Sequence, residues 1–316
     1  MAHRPRCAVA LLAALAAGSA VAADVYPSKP VRFVTSEPGG GNDIVARVLA
    51  DGLTPRLGQR VIVDNRGIVA AEIAKNATPD GYTLLIYGAN IWLLPYLRER
   101  VPWNPLTDFA PVTIAVQLPN ILVVHPALPV KSVRELIDYA RARPGKLDYA
   151  AGTLGVSPHL AAELFKAMAG VDIVRVPYKG GGPALNGLIA GETNLMFPNA
   201  GSALPHIRSG RVRPLAVSSA QPSALAPGLP TLASTVPGYE FVAVICVYAP
   251  AKTPAALVER LNREAVAVLN EPAVKDKLFN TGNEVVANTP REFADYMKKD
   301  MQRMGKVIRD AGIRAE

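Results

Sequence analysis

The chain has 316 residues, of which 50% are hydrophobic and 19% charged, with 34 Lys and Arg against 26 Asp and Glu. That length suits about two ordinary domains and buries a large core without help from disulfides. The basic residues are scattered. Their densest stretch, Arg208 to Arg213, has no interleaved aromatic residue, which argues against nucleic-acid binding.

Arg4 and Arg6 precede an apolar run from Val9 to Ala20, and Ala20-Val-Ala22 follows as a small-x-small pattern. This three-part layout predicts a secretory signal over residues 1–22, too short to span a bilayer, and a mature chain in the periplasm. No later run approaches the roughly 18 apolar residues of a membrane helix. Cleavage would remove Cys7 and leave Cys246 alone, inside the apolar run Phe241 to Tyr248, where a buried small hydrophobe is expected rather than a nucleophile.

Val31 to Val34 reads as the first strand. Ile44 to Leu57 follows with apolar residues at helical spacing, then a strand at 61–63, a helix at 69–76 and a strand at 82–87 after the Pro79-Asp-Gly81 turn. Residues 92–112, rich in Pro and aromatics, show no clear period. Ile121 to Val124 is a strand, and Val133 to Arg143 a helix with Ser132 as its N-cap. Strands at 147–151, 174–177, 194–197 and 214–218 alternate with helices at 160–169, 184–190 and 204–209. A strand at 241–248 and helices near 254–269, 272–280 and 290–311 close the chain. The alternation predicts an α/β fold.

Two apolar strands, Ile121 to Val124 and Val244 to Tyr248, are each stopped by Pro and each feed a helix. They suggest that the chain crosses between lobes there. The expected division is 23–122 plus 249–316 as lobe I and 123–248 as lobe II, with one continuous sheet as the alternative.

The familiar catalytic and metal-binding signatures are absent. The chain has no H-E-x-x-H helix, no G-x-S-x-G elbow and no Walker loop. No metal and no cofactor are expected. Ser157-Pro-His159 keeps open the alternative of an exported hydrolase or transferase using Ser157 and His159. A repeated design stands out instead: a strand, a loop of small residues, then a helix. It occurs at Ser36 to Asp43, at Gly152 to His159 and at Lys179 to Pro183. Such loops expose backbone N–H groups at a helix start, where the dipole favours an anion. Converging on one cleft, they would cradle a carboxylate or phosphate.

An ordered set of motifs runs through the chain: Tyr26-Pro-Ser-Lys-Pro-Val-Arg32, Gly39-Gly-Gly-Asn-Asp43, Pro79-Asp-Gly-Tyr-Thr-Leu84, Asp108-Phe-Ala-Pro-Val112, Asn120-Ile-Leu-Val-Val-His-Pro126, Val176-Pro-Tyr-Lys-Gly180 and Ser202-Ala-Leu-Pro-His206. Over residues 24–316 the sequence resembles the Bug family, the TctC-like extracytoplasmic solute receptors of tripartite tricarboxylate transporters. The resemblance implies a two-lobe periplasmic-binding-protein clamshell, each lobe a mixed sheet flanked by helices, with the ligand in the cleft between them. It implies a monomer that binds a small carboxylated solute without catalysis, and two membrane subunits as partners where a cognate transporter exists. The family's pocket loops map onto Ser36, Gly40, Asn42 and Asp43; Tyr87 and Asn90; Gly152, Thr153, Ser157 and His159; Tyr178; and Asn199 and Ser202. Thr35-Ser-Glu-Pro38, the short Gly67-Ile-Val-Ala-Ala71 stretch and Phe197-Pro-Asn199 depart from the family pattern and point to an altered ligand choice. Glu37 is either a cleft carboxylate suited to an ammonium group or a solvated loop residue. For the acid group we expect neutral donors rather than Lys179, whose hydrated charge is costly to bury.

Overall fold

The computed structural model describes residues 26–152, 155–310 and 312–313. The expected signal segment 1–22 and Thr153 lie outside them.

Two mixed sheets organise the chain. The first has the order β11-β4-β10-β3-β1-β2, built from β1 (Val31–Thr35), β2 (Val61–Asn65), β3 (Thr83–Gly88), β4 (Phe109–Pro119), β10 (Val242–Pro250) and β11 (Glu284–Val285). Strand β1 runs parallel to β2 and β3, whereas β10 is antiparallel to β3 and β4. The second sheet has the order β7-β6-β8-β5-β9, from β5 (Ile121–Val124), β6 (Leu147–Ala151), β7 (Ile173–Pro177), β8 (Leu195–Met196) and β9 (Arg213–Val217). One residue, Asn120, separates β4 from β5.

Both faces of each sheet are covered, which is why the strands read as nearly unbroken apolar runs. Successive side chains point to opposite faces. On the first sheet Val31, Phe33, Leu84, Ile86, Ile245 and Val247 pack with α1 (Gly41–Leu57) and α8 (Ala255–Leu269). Their neighbours Val34, Leu85, Tyr87, Cys246 and Tyr248 face a second cluster with α3 (Asn90–Leu97) and α10 (Pro290–Asp310). The second sheet repeats the pattern. Ile121, Val123, Ala150 and Val217 pack with α6 (Gly181–Ala190) and α7 (Ala200–Arg208), and Leu122, Val124 and Tyr149 with α4 (Val133–Arg141) and α5 (Ser157–Ala169). The cluster under α3, α5 and α10 is continuous across both sheets. Cys246 is buried, and burial pushes its thiol pKa well up.

The two sheets exclude the single-sheet alternative. The chain leaves the first sheet after Pro119 and returns at Val242, whereas the expected crossings lay near 122 and 249. Leu122 belongs to the second sheet, and all of β10 pairs within the first. An apolar run reads alike in either sheet; its pairing decides. The stretch without a period holds α3 and the start of β4, obscured by Pro95, Pro102, Pro105 and Pro111. Ser132 caps α4 as expected, its Oγ accepting the Glu135 N–H at 3.2 Å. Among the described residues no helix is long and apolar enough to cross a membrane.

Candidate functional site

A cleft of about 180 Å3 opens between the two sheets. Its polar rim is made by the first residues of helices: Gly41 and Asn42 of α1, Asn90 of α3, Ser157 of α5, and Asn199, the residue that precedes α7. Four helix starts therefore face one space, each able to offer unpaired backbone N–H groups and the positive end of its dipole. The opposite wall is apolar: Leu93, Leu118, Leu160 and the β10 approach from Phe241 to Ile245. Among the described residues, Asp300 of α10 is the one charged residue on the lining, and no Lys or Arg lies there.

At the floor, Gly88 ends β3 opposite Ile245. A Cβ on Gly88 would lie 2.9 Å from the Val244 carbonyl oxygen, with Asn90 Oδ1 at 3.7 Å and Asn42 Oδ1 at 3.9 Å. The missing side chain thus lets β10 approach β3 while two amides gather above the gap.

The first loop is braced rather than open at every position. Asn42 Nδ2 donates to Ser36 Oγ at 3.2 Å, so Ser36 holds the amide that lines the cleft. Asp43 turns inward. Its carboxylate accepts from the Gly39 N–H at 2.9 Å, from Asn65 Nδ2 at 2.9 Å and from the Arg47 guanidinium. Burial alone would raise its pKa, but these donors, Arg47 first, hold it down to about 2. Gly40 precedes α1 and accepts the Ile44 N–H. Tyr87 is buried in the core, and burial followed by the Glu37 charge pushes its phenol pKa up. Glu37 is exposed and packs against Gly67, not against the cleft lining.

In the second loop Gly152 serves the chain itself. A Cβ there would meet the Gly180 backbone at 2.8 Å, so two of the predicted loops touch backbone to backbone. Ser157 Oγ donates to Asn120 Oδ1 at 2.8 Å, and Asn120 Nδ2 donates to the Phe197 carbonyl at 2.6 Å and to Asn199 Oδ1 at 3.1 Å. His159 is buried, stacked on Tyr149, and its Nδ1 accepts the Gly155 N–H at 3.0 Å. Burial, with help from Arg175 and Lys166 against the opposing pull of Glu163, lowers its pKa to about 4. The imidazole is thus neutral and engaged with the backbone, while the Ser157 hydroxyl is engaged with Asn120. No serine–histidine pair forms here.

Of the residues expected at the site, Asn42, Asn90, Ser157 and Asn199 share the cleft wall. Ser36, Gly40, Asp43, Gly152 and His159 shape the loops behind it. Tyr178 hydrogen-bonds Glu192 at 3.0 Å away from the lining, Ser202 is exposed on α7, and Lys179 is exposed. Sequence reasoning missed Leu93, the Phe241–Ile245 wall, Asn120 and Asp300. Asp300 had a readable signal: it interrupts the apolar stripe Phe293, Met297, Met304, Ile308 of α10 at helical spacing. It is buried, accepting from Trp92 Nε1 at 2.8 Å and Arg303 Nη2 at 3.0 Å. Among the described residues, no group of three or more His, Cys, Asp or Glu could hold a metal ion.

Two mixed sheets, each flanked by helices, with a cleft walled by helix starts from both, define a two-lobe solute-binding protein. Solved structures share this fold. Rpa4515 of R. palustris, determined with adipate, is 37% identical and superposes with a TM-score of 0.77 over 92% of this chain and 99% of that one. MatC of Rhodopseudomonas palustris, determined with bound malate, is 27% identical, with a TM-score of 0.72 over 90% of this chain and 100% of that one. BugT of Bordetella pertussis is 36% identical over 304 residues, 93% of each chain. Residues 45–313 match the family model described as the tripartite tricarboxylate transporter family receptor, and the chain belongs to that family.

Proposed function

We propose that the protein captures a small carboxylated solute between its lobes and releases it unchanged. The observation that carries this reading is the cleft: four helix starts on one wall, apolar side chains on the other, no basic side chain among the described lining residues, and its one carboxylate, Asp300, already paired with Trp92 and Arg303. Such a wall receives an anion through oriented neutral donors that lose little entropy on binding. The apolar wall accommodates a hydrocarbon or aromatic body, and relatives solved with adipate and malate support the acid class. Asn42, Asn90, Ser157 and Asn199 are the proposed contacts. Lobe I would comprise residues up to 119 plus 242 onward, and lobe II the segment between. The proposed setting is the periplasm, reached by cleavage after Ala22, with the two membrane subunits of a tripartite transporter as partners.

A thermal-shift and calorimetric screen against adipate, malate, amino acids and aromatic acids tests the proposal. A bound acid at a hundred times its Kd should stabilise the fold by about 2.7 kcal/mol. Mass analysis should recover it intact. A solute converted by the wild-type chain but not by Ser157→Ala would refute simple capture.

A further inference from the structure

We infer that Asn120, which does not line the cleft, is a positioning residue that decides which end of the Asn199 amide a bound solute meets. Asn120 is fully buried in the one-residue link between β4 and β5. Its Nδ2 donates to the Phe197 carbonyl oxygen at 2.6 Å. A carbonyl oxygen only accepts, so this bond fixes which end of the Asn120 amide is nitrogen. The same nitrogen reaches the Asn199 side chain at 3.1 Å, and the atom it meets must therefore be the oxygen. Ser157 Oγ lies 2.8 Å from Asn120 Oδ1 and 3.3 Å from Asn199 Oδ1, so its single proton goes to the shorter contact.

Asn199 consequently turns its oxygen inward. Its Nδ2 is the free end, with no acceptor among the described residues, on a residue that lines the cleft. A solute carboxylate there accepts from this N–H donor, whereas an amide nitrogen or ammonium group, itself a donor, cannot. Asn120 is also tied to the second crossing between lobes. Its backbone N–H donates to Ser218 Oγ at 2.7 Å, and Ser218 Oγ donates in turn to the Phe241 carbonyl at 2.5 Å. One buried amide thus sets the polarity of the wall and links it to both segments where the chain crosses between the sheets. The preference for acids rests on the receptor reading above; the amide orientation does not.

Asn120→Asp nearly preserves shape and isolates the donor. Ionised, the new carboxyl still accepts from Ser157 but cannot donate, so Asn199 should rotate and present its oxygen to the cleft. Protonated, the carboxyl can donate again, and burial holds its pKa above the usual range. Calorimetry with adipate should show the variant weaker than wild type by about 10- to 100-fold near pH 8, with the deficit shrinking as the pH approaches about 5. A purely structural defect would not be reversed by protons, so a deficit that stays constant with pH would overturn the inference. Nuclear magnetic resonance of the solute-free protein gives a second readout. In the wild-type chain the Asn120 side-chain amide should exchange slowly with deuterium and the Asn199 amide, assigned by its loss in Asn199→Asp, quickly. Equal exchange would overturn the inference whether or not the variant folds. Failure of every acid to bind the wild-type chain, with the exchange pattern as expected, would count against the receptor reading alone.

Discussion

Gly88→Ala probes the cleft floor most directly. The added methyl carbon would sit 2.9 Å from the Val244 carbonyl oxygen, roughly half an ångström closer than an ordinary carbon–oxygen contact. The neighbour is backbone and cannot swing aside. β10 is held by β3 on one side and β4 on the other, with Ile245 paired to Gly88 and to Val116. Overpacking of this kind costs about 1–3 kcal/mol. For a chain of this size that lowers the melting temperature by roughly 1.5–5 °C. Binding should suffer separately, because the methyl also enters the space between Asn42 and Asn90, 3.9 and 3.7 Å away. Affinity for an acid such as adipate should fall by about tenfold or more, equivalent to 1.4 kcal/mol. Differential scanning calorimetry of the free protein and titration calorimetry at 25 °C separate the two effects. Wild-type melting together with wild-type affinity would refute the close approach of β10 to Gly88 and the placement of the acid group above it.

His159 gives a pH signature. Its folded pKa of about 4 lies below the ordinary 6.5, so between those values the unfolded chain binds a proton that the folded chain does not. Stability is therefore full above pH 6.5 and falls as the pH drops, by about 3 kcal/mol in total near pH 4. Urea melts of wild type and His159→Gln at pH 7 and 5 test this, and parallel pH dependence in the two proteins would refute it. Lys179→Met should change acid affinity by less than about fivefold, as expected of an exposed cation; a loss beyond a hundredfold would make Lys179 the anion anchor. Gly181→Ala opens α6 at a position where a Cβ meets nothing within 4 Å, and should stabilise the protein by about 0.4–1 kcal/mol in chemical denaturation; a destabilised variant would show that the N–H groups at this helix start need glycine's freedom.

Local chemistry made part of the cleft wall legible. Asn42 and Ser157 stand at helix starts announced by small-residue loops. The same loops also pointed to Asp43 and Gly152, which stand behind the lining. Asp43 answers to Gly39 and Arg47, each four positions away, and to Asn65, and Gly152 answers to Gly180; Asn65 and Gly180 are partners that only folding brings near. A strand–glycine–helix pattern looks the same whether its glycine admits a solute or another loop.

The sequence alone determined the α/β alternation, the Ser132 cap and the family resemblance, because these are carried by short motifs whose residues lie within a few positions of each other. The helices at the cleft, by contrast, begin three or four residues before their apolar periodicity does, and α3 shows no period. Tertiary structure alone decided that β10 completes the first sheet, that Asp300 reaches the cleft from the last helix, and that Asn120 governs Asn199 across 79 positions. Each of these depends on pairing between distant segments, and an apolar run or a lone amide carries no local mark of its partner. Burial makes such partners obligatory, since an amide removed from water must find a hydrogen bond wherever the fold supplies one.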